Sequence, residues 1–194
     1  IDGDGMARAL PEAQMMTFAI EGVRPTPAVA VDYTGGAVYF DTEDTLIYER
    51  QIRNIAMAMG GMVFTAESPM TAAEARCAVV PGTISFALEL GRMLTANFGN
   101  SVHVEKPLRE LFDRSDYGIL KHLYTGKIVD INRKVVGGFD VGEAIVEALG
   151  NDMPPLTLAI KNEFLVATVG DKVVASVPDL ITIVDHETSS PINA

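Results

Sequence analysis

The sequence contains no tryptophan and only one cysteine in 194 residues. A single cysteine excludes an intrachain disulfide and a zinc site made of several thiolates, so any metal would need carboxylate or imidazole ligands. Basic residues are also scarce, because 15 Lys and Arg stand against 26 Asp and Glu, for a formal net charge of -11. This balance offers no basic surface to a phosphate backbone, which argues against nucleic acid as a partner.

Long apolar runs are missing as well. Nowhere do about 18 apolar residues follow one another, which is the length that a membrane-spanning helix needs, and the acidic charge argues against binding to an anionic membrane surface. Hydrophobic residues nevertheless make up 48% of the chain, which is enough to bury a core. We therefore expect a cytoplasmic globular protein of bacterial type. Because the chain opens on Ile1 and not on Met, we expect an N-terminal portion of the fold to be missing.

The first half of the chain predicts mixed helices and strands. An apolar run at 15–20 predicts a buried strand, and the runs at 28–33 and 37–40 predict a hairpin across two glycines. Apolar residues then recur at helical spacing, and Thr42 is the predicted N-cap of that helix. Further on, the segment 71–74 has the pattern of a capping box.

From about Tyr117 the pattern changes to short β-type runs separated by turn residues, at 126–130, 144–149, 156–160, 164–169 and 173–177. Five or more such strands at this spacing are typical of a small barrel or sandwich. The sequence thus predicts an α/β (α+β) domain over residues 1–116 and an all-β, barrel-like domain over residues 117–194. Alternation predicts that Leu156, Leu158 and Ile160 share one face of a strand, and that Leu180, Thr182 and Val184 share a face of another.

The densest group of polar residues lies at 2–12, where Asp2, Asp4, Glu12 and Arg8 stand in a Gly-rich loop. Such a loop can hold a divalent cation or a general base. Alternating Asp and Gly are equally typical of a solvated turn, because both residues tolerate positive φ and Asp makes local hydrogen bonds. Both interpretations remain open from the sequence alone.

Three further positions are candidates for binding. Gly82 and Thr83 follow a proline at a predicted helix start, where backbone N–H groups beside a hydroxyl can bind an anion or simply cap the helix. Asn162 interrupts a strand-like run, and Asp179 follows a proline before another apolar run. Polar residues at such points either line a cleft or occupy a β-bulge.

Several short motifs together resemble one known family. They are DGDGMARALPE at 2–12, PGTIS at 81–85, GKIVD at 126–130, GGF at 137–139, NE at 162–163 and VPDLI at 177–181. In this order they resemble the S-methyl-thiohydantoin desulfurase family, once labelled a domain of unknown function and associated with hydantoinase and oxoprolinase enzymes. The resemblance covers nearly the whole chain. The sequence departs from the family pattern at Ala7, where we expect the family to have glycine.

The resemblance implies an enzyme of hydantoin or S-methyl-thiohydantoin catabolism, acting by hydrolysis at a site between its two domains. In this hypothesis Asp2, Asp4 and Glu12 converge on one pocket and supply the base, with Asp2 and Asp4 as candidate ligands of a divalent metal. The implied substrate-binding residues are Arg8, Gly82, Thr83, Asn162 and Asp179. The alternative is a non-catalytic subunit that binds a hydantoinase or oxoprolinase. We also expect a homo-oligomer, because the chain is apolar enough to leave a face or a strand edge uncovered.

Overall fold

A computed structural model of the chain describes residues 1–96, 104–150, 153–188 and 190–192. The chain forms two compact units. The first consists of Ile1–Pro81 and Val135–Phe139, and the second of Gly82–Lys134 and Asp140–Ala194. The mixed α/β character predicted from the sequence is confirmed, and the domain boundary near Asp116 stays a prediction.

The first unit is built on a three-stranded antiparallel sheet with the order β3-β2-β4. Its elements, in chain order, are β1 Gly3–Asp4, a 3-10 helix Ala13–Met15, α1 Thr17–Ile20, β2 Ala28–Val31, β3 Ala37–Phe40, α2 Thr45–Ala58, β4 Phe64–Ala66, α3 Ala72–Ala78 and β5 Val80–Pro81. Strands β2 and β3 form the predicted hairpin, with Ala28 opposite Phe40 and Val31 opposite Ala37. One face of this sheet and helix α2 form the core of the unit, in which Ala30 and Tyr48 are fully buried.

Two local predictions in the first unit are wrong. Residues 15–20 form the end of the 3-10 helix and helix α1 in place of a strand, because the N–H of Thr17 donates to the Gly5 carbonyl at 2.7 Å and the chain then closes helical turns. A short apolar run fits a buried helix as well as a strand. The N-cap of α2 is Asp44 and not Thr42, since the Asp44 carboxylate accepts from Leu46 N and Ile47 N. The capping box of α3, between Thr71 and Glu74, is confirmed.

The second unit combines two helices with a five-stranded antiparallel sheet. Its elements are α4 Thr83–Ala96, α5 Glu105–Asp113, β6 Gly126–Val136, β7 Phe139–Ala148, β8 Leu156–Lys161, β9 Glu163–Val169, β10 Lys172–Ser176, β11 Ile183–Val184 and β12 Pro191–Ile192. The tip of the β6–β7 hairpin, Val135–Phe139, belongs to the first unit. The sheet order is β10-β9-β8-β7-β6, and β11 pairs with β12 in a separate hairpin. Among the described residues no pairing joins β6 to β10, so the sheet is open and the predicted barrel is not confirmed.

Strand β8 alternates as predicted, with Leu156, Leu158 and Ile160 buried on one face. These side chains form the core of the second unit together with Ala144, Val146, Phe164, Ala167 and Ile181. Leu180, Thr182 and Val184 are all exposed, as residues that share one face would be, but the strand here is shorter than predicted. Only Ile183–Val184 is a strand, and the neighbouring Ile181 is the buried residue while Leu180 is exposed. Among the described residues, no helix has the length and apolar character that a membrane crossing requires.

Candidate functional site

The acidic loop at the start of the chain uses one of its carboxylates for its own turn. Asp4 Oδ1 accepts from the backbone N–H of Met6 at 2.7 Å and of Ala7 at 2.6 Å. These bonds hold Ala7 at a φ of 59°, in the left-handed region that favours glycine. Ala7, where the family pattern is expected to have glycine, thus has a backbone conformation that suits glycine better than alanine.

The other predicted residues of this loop have different surroundings. Asp2 is exposed, and Arg8 Nε donates to the Ala9 carbonyl at 2.9 Å. Glu12 is half-buried and accepts a hydrogen bond from the side-chain amide of Gln14. In the part of the chain that the structure describes, no group of three or more His, Cys, Asp or Glu could hold a metal ion. The convergence of Asp2, Asp4 and Glu12 on one pocket stays a prediction.

A buried ion pair that the sequence analysis missed fixes the end of this loop. Glu49 is buried on α2, and its carboxylate accepts from Ala13 N at 2.8 Å and from Arg53 Nε at 2.7 Å. Arg53 also donates to the Pro11 carbonyl at 2.7 Å and to the Gly138 carbonyl at 3.2 Å. Its guanidinium lies 3.8 Å from the centre of the Phe139 ring.

The Glu49–Arg53 pair has a structural role. Arg53 is held by the carboxylate, by carbonyl oxygens and by a ring, so its donors are occupied by the protein itself. The available signal in the sequence was the spacing of four residues between Glu49 and Arg53 on one helix. That spacing is also common on solvated helix surfaces, and only the structure shows that this pair is buried.

A second buried group lies beside it on α2. Tyr48 is fully buried, packs edge-on against Phe40 and donates its hydroxyl to Glu67. Burial raises the pKa of the Tyr48 phenol well above its usual range, and the Glu67 carboxylate that accepts its hydrogen bond raises the pKa further. The phenol therefore stays protonated and acts as a donor that fixes Glu67.

In the second unit, helix α4 begins at Thr83 directly after Gly82, which has a φ of +77°. The Gly82 carbonyl accepts from Phe86 N at 2.9 Å and so starts the helical hydrogen bonds. Thr83 is buried, and among the described residues its Oγ1 has no hydrogen-bond partner. Such a hydroxyl is unusual, because burial without a replacement hydrogen bond costs free energy. Of Gly82 and Thr83, the two residues predicted to bind an anion, Thr83 is therefore the one with a buried donor that a ligand could use.

Asn162 is placed where the sequence predicted an interruption of the sheet. It lies in the turn between β8 and β9 at a φ of 59°, next to a register shift between these strands at Ala159 and Ile160. Its side-chain Oδ1 accepts from Asp140 N at 2.8 Å. The side chain therefore satisfies a backbone group at the irregularity, as the bulge interpretation expects.

The same turn lines a cavity of about 170 Å³ within the second unit. Its polar lining residues are Asn162, Glu163 and Thr182. The apolar lining residues are Phe164, Leu180, Ile181, Pro191 and Ile192. Asp179, whose N–H donates to the Ser176 carbonyl at 3.0 Å, directly precedes the lining segment that begins at Leu180. The cavity is thus lined by three polar and five apolar residues, and Glu163 is the polar residue that the sequence analysis did not select.

Comparison with known families agrees with the motifs. The model of the N-terminal domain of S-Me-THD-like proteins matches residues 1–42, and the model of their C-terminal domain matches residues 42–194. The chain therefore belongs to the S-Me-THD-like family, and the name of that family associates it with thiohydantoin metabolism.

Among solved structures, the chain is similar to a protein from Chromobacterium violaceum whose X-ray structure was determined in a structural genomics programme. The two chains share 25% sequence identity with a TM-score of 0.68, over 97% of this chain and 51% of the other. This chain thus spans about half the length of that relative. No curated protein matches the present chain significantly.

Proposed function

We propose that the protein hydrolyses the carbon–sulfur bond of an S-methyl-thiohydantoin, and that the cavity beside Asn162 holds the ring. The observation that carries this proposal is a cavity of about 170 Å³ that is lined by an asparagine, a glutamate and a threonine together with five apolar residues. Membership of the S-Me-THD-like family supports the choice of substrate class.

The size of the cavity suits a small heterocycle. At about 30 Å³ of liquid volume for each water molecule, it corresponds to roughly five or six waters. Sites for drug-sized ligands are larger, at about 300 to 1,000 Å³. A five-membered ring with one small substituent fits a cavity of about 170 Å³, and a peptide or a nucleotide does not.

The lining also suits the polarity of the ring. A thiohydantoin presents a carbonyl oxygen, ring nitrogens and an apolar S-methyl group. Because Oδ1 of Asn162 is used by Asp140 N, the Nδ2 group of Asn162 is the side-chain donor that can face a ring carbonyl. Phe164 and Ile181 give the S-methyl group an apolar surface. Such a mixture of an apolar wall and a few polar groups is typical of ligand sites.

Glu163 is the proposed general base. Within the described residues its half-buried carboxylate has no hydrogen bond or ion pair of its own, so it can accept the proton of an attacking water. The water oxygen bonds to the ring carbon that carries sulfur, the carbon–sulfur bond breaks, and sulfur leaves as methanethiolate, which takes up a proton. The products are hydantoin and methanethiol.

The carboxylates at Asp2, Asp4 and Glu12 are the competing set of bases that the sequence favoured. Asp4 accepts two hydrogen bonds from its own turn, and Glu12 accepts one from Gln14. Thr83 is the candidate for holding the negative charge that develops on the reacting group. Single substitutions at Asp2, Glu12 and Thr83 distinguish the roles of these residues from the role of Glu163.

The experiment measures methanethiol release from S-methyl-thiohydantoin with a thiol-reactive dye. Loss of a general base lowers the rate by about 100-fold or more, and we expect this for Glu163→Gln. Glu143→Gln, an exposed glutamate on β7 of the same sheet, is the matched control and should keep the full rate. A full rate in Glu163→Gln with a loss in Asp2→Asn, Glu12→Gln or Thr83→Val would move the site to those residues. Binding of the ring without thiol release would favour a non-catalytic role.

A further inference from the structure

The three-stranded sheet of the first unit has a second face that the helix does not cover. Residues of β2 alternate between the two faces, and Ala28 and Ala30 point to the core under α2. Val29 and Val31 therefore point to the opposite face. The strand register identifies the neighbours of Val29 and Val31, and these neighbours determine whether the face is polar or apolar.

Every residue on the opposite face is apolar or aromatic. Val29 lies between Tyr39 of β3 and Ala66 of β4, and Val31 lies between Ala37 and Phe64. Directly paired residues of an antiparallel sheet project to the same side, so these residues form two apolar rows. We call them the open sheet face. Its residues within the three strands include no charged group, although a sheet face exposed to water is normally polar.

The open sheet face is strongly exposed. Tyr39 is 81% and Phe64 is 64% exposed. Tyr33 and Met62, exposed by 82% and 63%, continue the same alternation just beyond the ends of β2 and β4. At about 200 Å² for each large side chain, these four residues present about 580 Å² of mostly apolar surface.

This area is what one side of a dimer needs. A specific interface buries about 800 Å² on each partner, of which somewhat more than half is apolar. The four large side chains therefore supply the apolar part of one such patch. A partner must bring an apolar surface of similar extent without charge, and the same face on a second copy does so.

We propose that the open sheet face binds the same face of a second copy of this chain. The contact is isologous, so that each copy contributes the same patch about a two-fold axis, which is the commonest symmetry of soluble oligomers. The two sheets stack about 10 Å apart, as the sheets of a β-sandwich do.

Sedimentation velocity of the purified chain at increasing concentration tests this proposal. We expect a species of twice the 20.8 kDa monomer mass. Tyr39→Glu and Phe64→Glu should each weaken the dimer by about 30-fold or more, the scale of an interface hot spot. Ile119→Glu is the control, because Ile119 is an exposed apolar residue of the second unit, and it should leave the dimer unchanged.

Hydroxyl-radical labelling locates the contact without any substitution. Modification of Tyr39, Phe64 and Met62 should fall as the dimer forms, and that of Ile119 should stay constant. A chain that remains monomeric at high concentration would overturn the proposal. A dimer in which these three side chains stay fully reactive would overturn it too, because the contact would then use another surface.

Discussion

Asp140 and Asn162 are joined by two hydrogen bonds in opposite directions. The N–H of Asp140 donates to Asn162 Oδ1, and the N–H of Asn162 donates to the Asp140 carbonyl, each at 2.8 Å. The pair holds the turn between β8 and β9 in a left-handed conformation at Asn162. It also orients the side-chain amide of Asn162, which lines the cavity.

Asn162 should therefore respond differently to alanine and to glycine. Asn162→Ala removes the bond from Asp140 N, at a cost of about 1 kcal/mol, and keeps a β-carbon in the left-handed region. Asn162→Gly removes the same bond but also removes the β-carbon, which relieves a backbone strain of about 1 to 2 kcal/mol. We expect glycine to unfold at a higher urea concentration than alanine, with a difference of about 1 kcal/mol in the free energy of unfolding. Equal midpoints would show that the backbone there is not strained.

The buried pair of Glu49 and Arg53 should control the stability of the first unit. Glu49→Ala leaves the Arg53 guanidinium without its carboxylate and Ala13 N without an acceptor. Breaking a buried pair in this way costs about 3 kcal/mol, measured by urea unfolding. Glu105→Ala is the matched control, because Glu105 pairs with Arg109 at the same spacing on an exposed helix surface, where such pairs contribute little. Similar losses in both variants would contradict this account.

Acid should loosen the hairpin of β11 and β12, whose Pro191 and Ile192 line the cavity. The turn between β11 and β12 contains Asp185, whose Oδ1 accepts from the hydroxyl and the N–H of Thr188 and from Glu187 N. The Thr188 hydroxyl and then its backbone N–H lower the pKa of Asp185 below its usual 3.8. A lowered pKa means that this carboxylate stabilises the fold above its unfolded pKa, and that the contribution disappears as the pH falls through its folded pKa.

NMR titration of the Asp185 carboxyl group measures this effect. The midpoint should lie below 3.8 and move upward in Thr188→Val, which removes the hydroxyl donor. Thr182→Val is the control, since this hydroxyl is not a partner of Asp185. An unchanged midpoint in Thr188→Val would assign the shift to another group.

Local patterns predicted much of the secondary structure. The alternation of Leu156, Leu158 and Ile160 identified both the strand and its buried face. The hydroxyl of Thr71 and the carboxylate of Glu74 identified a helix start, because their hydrogen bonds lie within one turn. These features depend on neighbouring residues alone, which is why a sequence shows them.

Features that depend on distant contacts were missed or misassigned. Residues 15–20 form helical turns because Thr17 bonds to Gly5, and no local pattern distinguishes this from a strand. The burial of Glu49 depends on Ala13, 36 residues away. Glu163 was noted as part of a family motif but not selected as a site residue, because a single glutamate in a strand is usually solvated and its place in a cavity depends on the segment 180–182 and on β12.

The central claim is that the cavity beside Asn162 binds a thiohydantoin ring. Titration of the ¹⁵N-labelled chain with S-methyl-thiohydantoin tests it most directly, because amide signals report the site of binding independently of catalysis. We expect saturable shifts at Asn162, Glu163, Ile181 and Thr182, and their loss in Thr182→Phe, which fills the cavity. Shifts confined to residues 2–12, or no saturable shift at the cavity, would contradict the account.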